Sequence, residues 1–200
     1  MTRVVLIRPG STDYDAQNRI QGTLDIPLNS HGSAEAAETA EGLRPLALHR
    51  IFSEGSQSAE ETGRVISTHL GLRFRKLDKL HNVNQGLWQG LQVDEVKRKH
   101  PRVYRQWCEA PATVCPPGGE TVAEAYDRVT RILKPLLRRH RDEVIGLVVH
   151  DPLASLIRSY LLGQGPAQPY SPSLGDARWT VIEHGNGPLP SDSKSAQESE

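Results

Sequence analysis

The stretch Arg3-Val4-Val5-Leu6-Ile7-Arg8, followed at once by Pro9-Gly10-Ser11-Thr12, is a short apolar run that stops at a cation and a turn. A run that is apolar at consecutive positions, rather than at alternate ones, is the pattern of a strand covered on both faces. Three more segments have the same character: Arg50-Ile51-Phe52-Ser53, residues 144–150 (Val-Ile-Gly-Leu-Val-Val-His) and residues 178–183 (Arg-Trp-Thr-Val-Ile-Glu). Residues 73–77 alternate and read as an edge strand.

Helical patterns lie between these strands. Ser30 is placed to cap a helix over 31–43, and residues 56 or 57 to 70 form a second, with Gly71 as its stop. Two shorter helices, 93–99 and 101–109, are divided near Pro101. After Gly118-Gly119-Glu120, Val122, Ala125, Tyr126, Val129, Ile132, Leu133, Leu136 and Leu137 recur at three and four, marking one buried stripe. Pro135 falls within that helix and predicts a kink or break, while Arg138–Arg141 suits its C-terminal dipole. A last helix, 152–162, opens on Pro152 and stops at Gly163. Strands alternating with helices predict an α/β fold, a three-layer αβα sandwich around a mainly parallel sheet.

The 200 residues fit one domain, expected over 1–184. Residues 185–200 are Gly, Pro, Ser, Lys and Glu with almost nothing apolar, so a disordered tail is expected there. Lys plus Arg and Asp plus Glu number 24 each, a balance that gives no long-range pull toward nucleic acid or an anionic membrane. No apolar run approaches the roughly 20 residues of a membrane span, and a cytoplasmic protein is the default expectation. Cys108 and Cys115 are read as two free thiols, although a bridge between them is conceivable. His31, His81 and His150 match no metal-ligand spacing, so no metal and no cofactor are expected. Trp88 and Trp107 are read as packing residues.

In open α/β sheets ligands collect at the carboxyl ends of the strands. Two strands here end in polar clusters, Arg8-Pro9-Gly10-Ser11-Thr12 and His150-Asp151-Pro152. Arginine, hydroxyls and helix N-terminal amides at such a turn would suit an anion.

Several segments in order give these clusters a family context. Arg8-Pro9-Gly10-Ser11-Thr12, then Arg19-Ile20-Gln21-Gly22, Asp25-Ile26-Pro27-Leu28 and Gly32, resemble the opening of the histidine phosphatase superfamily, the phosphoglycerate-mutase-like proteins. Gly86-Leu87-Trp88-Gln89-Gly90 resembles the family's Gly-x-Trp-Glu-Gly segment, and Pro117-Gly118-Gly119-Glu120-Thr121 its Pro-x-Gly-Glu-Ser segment. Val148-Val149-His150, ahead of a Leu-rich helix ending in Leu161-Leu162-Gly163, resembles the second histidine block. The resemblance implies a phosphate pocket in which the histidine of an Arg-His-Gly motif attacks phosphorus, two arginines and a second histidine balance the phosphoryl oxygens, and a Glu or Asp protonates the leaving oxygen.

On that resemblance the chain keeps Arg8, Gly10, Glu120 and His150, and departs elsewhere. The nucleophile's position holds Pro9, which offers no lone pair for attack. The second arginine's position falls on Gln57, and the acid's on Asn82. Asp15 and Asp151 stand where the family usually has Asn and Gly, each putting a carboxylate toward the pocket if it faces inward. Two like charges about 4 Å apart repel by roughly 4 kcal/mol at an effective dielectric of 20. The residual pocket expected is therefore Arg8, Gly10, Ser11, Asp15, Gln57, Asn82, Glu120, His150 and Asp151, with no confident catalytic residue. The reading is a catalytically inactive relative with a binding or regulatory role, its partner a small anionic ligand or a protein. The alternative is an active phosphatase or mutase that uses another nucleophile such as His150. Self-association is left open, as family members are often dimers or tetramers.

Overall fold

The apolar strands and amphipathic helices assemble as three layers. In the computed structural model, which describes residues 1–110, 114–165 and 177–185, the strands are β1 (Thr2–Ile7), β2 (Arg50–Ser53), β3 (Arg73–Lys76), β4 (Val144–Val148) and β5 (Trp179–His184). They form one sheet in the order β3-β2-β4-β1-β5. β1 pairs in parallel with β4, β4 with β2 and β2 with β3, and only β5 runs antiparallel, against β1. The helices are α1 (Asp13–Ala16), α2 (Ser30–Leu43), α3 (Gln57–Leu70), α4 (Val93–Lys99), α5 (Pro101–Glu109), α6 (Val122–Arg139) and α7 (Leu153–Leu161).

Side-chain alternation on the central strands divides the core. Val4 and Leu6 of β1, with Ile145 and Leu147 of β4, pack with Ala125, Val129 and Leu133 of α6 and Leu153 and Ile157 of α7. Val5, Ile7, Val144 and Val148 point the other way, onto Ala40 and Leu43 of α2 and Ala59 and Ile66 of α3. Consecutive apolar residues are thus both buried because helices cover both faces of the sheet. A third cluster lies apart: Trp88, Val96 and Val114, with Ile20, Leu91, Tyr104 and Trp107 packed against them.

Four elements depart from the sequence expectations. β5 is the exposed antiparallel edge of the sheet, with Val181 outward, rather than a buried strand. α2 begins at Ser30 itself because the Asn29 side chain accepts the Gly32 amide hydrogen at 2.8 Å. α6 runs unbroken through Pro135, which sits on its exposed side while Leu133, Leu136 and Leu137 anchor the buried side. The carbonyl that the proline ring leaves without a partner is therefore on the face water reaches. The four-residue α1, with its Thr12–Asp15 capping box, had no signal in hydrophobic periodicity. The tail expected over 185–200 lies outside the described residues, apart from Gly185.

The turn after β1 is held against α2 by two glycines. A β-carbon on Gly32 would stand 2.0 Å from the Ser11 carbonyl oxygen, and one on Gly10 would stand 2.2 Å from the Gly32 oxygen. Backbone cannot yield as a flexible side chain can. Gly32→Ala is therefore expected to cost about 1–3 kcal/mol, the range for overpacking, read as a lower midpoint in urea unfolding; an unchanged midpoint would show that the turn can move away.

Candidate functional site

The carboxyl ends of β1 and β4 meet at a cleft of about 720 Å³. Arg8, Pro9, Gly10, Ser11, Asp15, Asn82, His150 and Asp151 line it, joined by Arg19, Glu35, Gln85, Trp107 and Arg178. Seven of the nine pocket residues expected from sequence thus face one cavity, and Pro9 is beside them.

Gln57 and Glu120 do not. Gln57 is exposed on the first turn of α3, where its amide donates to Glu61 Oε1 at 2.8 Å and its backbone N–H to Asp25 Oδ1 at 3.1 Å. Glu120 accepts from Arg128 at 2.6 Å and from the Asn84 amide at 2.8 Å, clamping the 82–90 loop to α6. Its carboxylate is spent on that clamp rather than offered to the cleft.

The amides at the start of the loop are also spent. Gly10 N–H donates to Thr62 Oγ1 at 3.0 Å, Ser11 N–H to Glu35 Oε2 at 2.7 Å, and Thr12 N–H to Asp15 Oδ2 at 2.7 Å. The expectation that helix N-terminal amides would hold an anion is corrected here: protein oxygens already occupy them. An anion in this cleft meets side-chain cations instead, Arg8, Arg19, Arg178 and His150. Of these, Arg178 ion-pairs with Glu35, and Arg19 donates to the Gly90 carbonyl at 2.5 Å.

Both unexpected aspartates line the cleft, and both are hydrogen-bonded, Asp15 in the capping box of α1 and Asp151 to a side chain. Asp15 takes the Thr12 amide and hydroxyl, and Asp151 Oδ1 accepts from the Ser155 hydroxyl at 2.8 Å on α7. Asn82, buried, accepts from Val83 N–H at 2.8 Å and Leu153 N–H at 3.3 Å and donates to the Asp151 carbonyl at 3.2 Å. It ties its loop to the start of α7, a structural duty an amide can perform with donor and acceptor together.

His150 is the most constrained group. Its side chain is 13 % exposed; Nδ1 lies 2.5 Å from Oε1 of the fully buried Glu54, and Nε2 lies 3.3 Å from the Ser58 hydroxyl. Glu54 also accepts the His150 backbone amide at 3.2 Å. Burial alone would push the imidazole's pKa down. The hydrogen bond and charge of Glu54, with the charges of Asp15 and Asp151, outweigh burial and raise it above its ordinary value. Glu35 shows the reverse balance. Burial pushes its carboxyl up, but hydrogen bonds from Arg178 and Ser11 and the guanidinium charge bring it down to about 2.

Sequence reasoning missed Glu54, Glu35, Arg178 and Ser58. Glu54 follows β2 directly, at the sheet's ligand end, which is a usable signal; Glu35 sits among the Ala and Glu of α2 and looks like an ordinary solvated residue. Trp107 packs edge-on against Trp88 at 6.1 Å, as a core residue would, and also walls the cleft. Cys108 and Cys115 are free thiols. Among the described residues no group of three or more His, Cys, Asp or Glu is placed to hold a metal, and no helix is long and apolar enough to cross a membrane.

Arginines and a largely buried histidine thus surround a cleft at the strand ends of a mostly parallel αβα sandwich. The chain belongs to the histidine phosphatase superfamily (branch 1), whose model matches residues 4–190. It is 29% identical over 182 residues to phosphoserine phosphatase 1 of Hydrogenobacter thermophilus, covering 91% of this chain and 86% of that one. It is 31% identical over 150 residues to phosphoglycerate mutase-like protein 4 of Arabidopsis thaliana, covering 74% and 65%. The solved mycobacterial glucosyl-3-phosphoglycerate phosphatase superposes with a TM-score of 0.81 at 29% identity, covering 90% of each chain.

The Glu54–His150 pair sets a pH dependence. A raised folded-state pKa means that the pair's contribution to stability is complete below about pH 6.5, the ordinary histidine value, and is lost as pH rises through the folded value. Glu54→Gln is expected to move the His150 ring titration to lower pH in an NMR experiment and to remove that alkaline loss of stability. An unmoved titration would mean that Glu54 does not govern the ring.

Proposed function

We propose that this chain is a non-catalytic member of its superfamily, one that binds a small anion in the cleft without forming a phosphohistidine at the opening strand. The observation that carries the reading is Pro9, a cleft-lining residue whose ring nitrogen is a tertiary amide with no basic lone pair. The site's remaining chemistry supports binding over turnover. His150, with its raised pKa, stays protonated to higher pH than a free imidazole, and an imidazolium attracts an anion while offering no lone pair for attack. Asn82 carries no proton that a leaving group could take, and its amide is already committed to the start of α7.

The second reading is an active phosphomonoesterase or mutase that uses His150 as its nucleophile. The names of the relatives favour it, since they are phosphatases and a mutase-like protein, and so does the place of His150 on the cleft wall. In that reading Nε2 attacks, while Glu54 holds Nδ1 and offsets the positive charge that develops on the ring.

The two readings part in one assay. Full-length protein incubated with an aryl phosphate, phosphoserine and phosphoglycerate is expected to release no phosphate above buffer. Protein-dependent release that disappears in His150→Ala would overturn the non-catalytic reading and establish the second. We further expect Pro9→His alone to give no fast turnover, because Asn82 is still no acid and Arg19 and Arg178 remain tied to Gly90 and Glu35. Rapid hydrolysis by that single variant would show that the rest of the pocket was competent all along.

A further inference from the structure

A second concentration of cations lies at the amino ends of β2 and β3, the opposite end of the sheet from the cleft. Arg50 opens β2, Arg73 opens β3 and Arg75 follows on the same strand, while Arg139 closes α6. All four line one concavity of about 190 Å³, whose other walls include Phe52, His140 and Glu143. Among the described residues, none of these four arginine side chains makes a hydrogen bond or an ion pair. Glu143, the one carboxylate lining the cavity among the described residues, is taken by His140 Nδ1 at 2.8 Å. An adjoining concavity of about 460 Å³ shares Arg75 and Arg139 and adds Lys79 and Arg131, with Asp78 as its carboxylate.

Composition does not account for this. The chain carries 24 cations and 24 carboxylates, and some surface cations elsewhere are matched, as Arg64 is with Glu60, Arg44 with Glu41 and Lys99 with Glu95, while others such as Arg102 and Arg158 are not; what sets this group apart is four guanidinium groups sharing one concavity. One bland explanation is that charged residues guard an edge strand against pairing with another chain. That covers Arg73 and Arg75, which belong to the edge strand β3. It does not cover Arg50, on the interior strand β2, or Arg139, on a helix. Guanidinium groups drawn from three elements onto one concavity, without internal partners, are arranged for a ligand that supplies the missing charge.

We propose that this concavity is a second anion site, built for a compact polyanion with at least two phosphate-like groups, such as a condensed phosphate or a diphosphate ester. The planar fork of arginine matches phosphate oxygens two at a time. The smaller concavity takes one phosphate-sized group, and the adjoining one, across the shared Arg75 and Arg139, takes the next. The site stands apart from the cleft and does not depend on whether the cleft is catalytic.

The probe is tripolyphosphate, titrated calorimetrically into the full chain. Wild type is expected to bind saturably, and the affinity should fall as salt rises, because exposed charges are screened. The double variant Arg73→Ala/Arg139→Ala should bind at least tenfold more weakly, while Arg8→Ala should remove only the cleft's own contribution and leave saturable binding that still depends on Arg73 and Arg139. Thermal melts of both variants confirm that the fold persists. Binding abolished by Arg8→Ala and indifferent to Arg73 and Arg139 would overturn the proposal, as would the absence of saturable binding by wild type. A glutamate-rich peptide that binds here where tripolyphosphate does not would also overturn it, in favour of an acidic protein partner.

Discussion

Glu54 is fully buried at the end of β2, and the position and charge of His150 on the cleft wall depend on that carboxylate. One of its oxygens receives the His150 ring, the His150 backbone amide and the Ser56 hydroxyl, while the other is buried without a hydrogen-bond partner. A charge removed from water must be compensated locally, since desolvation costs several kcal/mol per ion even after relaxation. The compensation available is the imidazole, and this is why the histidine is drawn toward its charged form. The pair joins the ends of β2 and β4, adjacent parallel strands, so the same contact that favours the ring's charged form also fixes His150 on the cleft wall.

With the ring held that way, the cleft's electrostatics become a contest of fixed charges rather than an empty positive bowl. Asp15 and Asp151 favour the imidazolium and oppose an incoming anion, two effects of the same charges. The hydrogen bond each accepts leaves its carboxylate charge in place while fixing where it points. Arg178 is similarly divided, since the Glu35 that holds it also subtracts from its pull. Cations and carboxylates in such proportion suit a ligand of limited charge that carries hydrogen-bonding groups of its own better than a bare highly charged anion.

The layers of the fold were legible because consecutive apolar residues on β1 and β4 leave only one arrangement, helices on both faces. The α6 stripe was equally plain, since Ala125, Val129, Leu133, Leu136 and Leu137 are buried as their spacing requires. What misled was context. Residues 178–183 carry the β-branched content of a core strand, yet the strand lies at an edge, and propensity does not register which neighbours a strand will have. In the site, the residues at strand ends were findable, whereas Gln57 and Glu120 were placed by motif alone and turn out to face Glu61 and Arg128. Glu35 and Arg178 are 143 positions apart, and no local pattern announces a partnership that only the tertiary fold creates.

Pro9 shows how chemistry and fold can separate at one position. The parallel ladder takes the Ile7 carbonyl to Val149 at 3.0 Å, and the antiparallel one takes the Arg8 amide to Arg178 at 2.9 Å. The Arg8 amide makes the last sheet hydrogen bond of this strand, so residue 9 owes the sheet no amide hydrogen and proline's missing donor costs nothing there. Its fixed φ also agrees with a chain leaving an extended strand. A buried proline at that point therefore fills space and carries the chain to Gly10 with no penalty in hydrogen bonding, while removing any side chain able to accept a phosphoryl group. On the proposed non-catalytic reading, the residue that decides the chemistry is thus among the least costly to the structure, so the fold can be kept while the chemistry is given up.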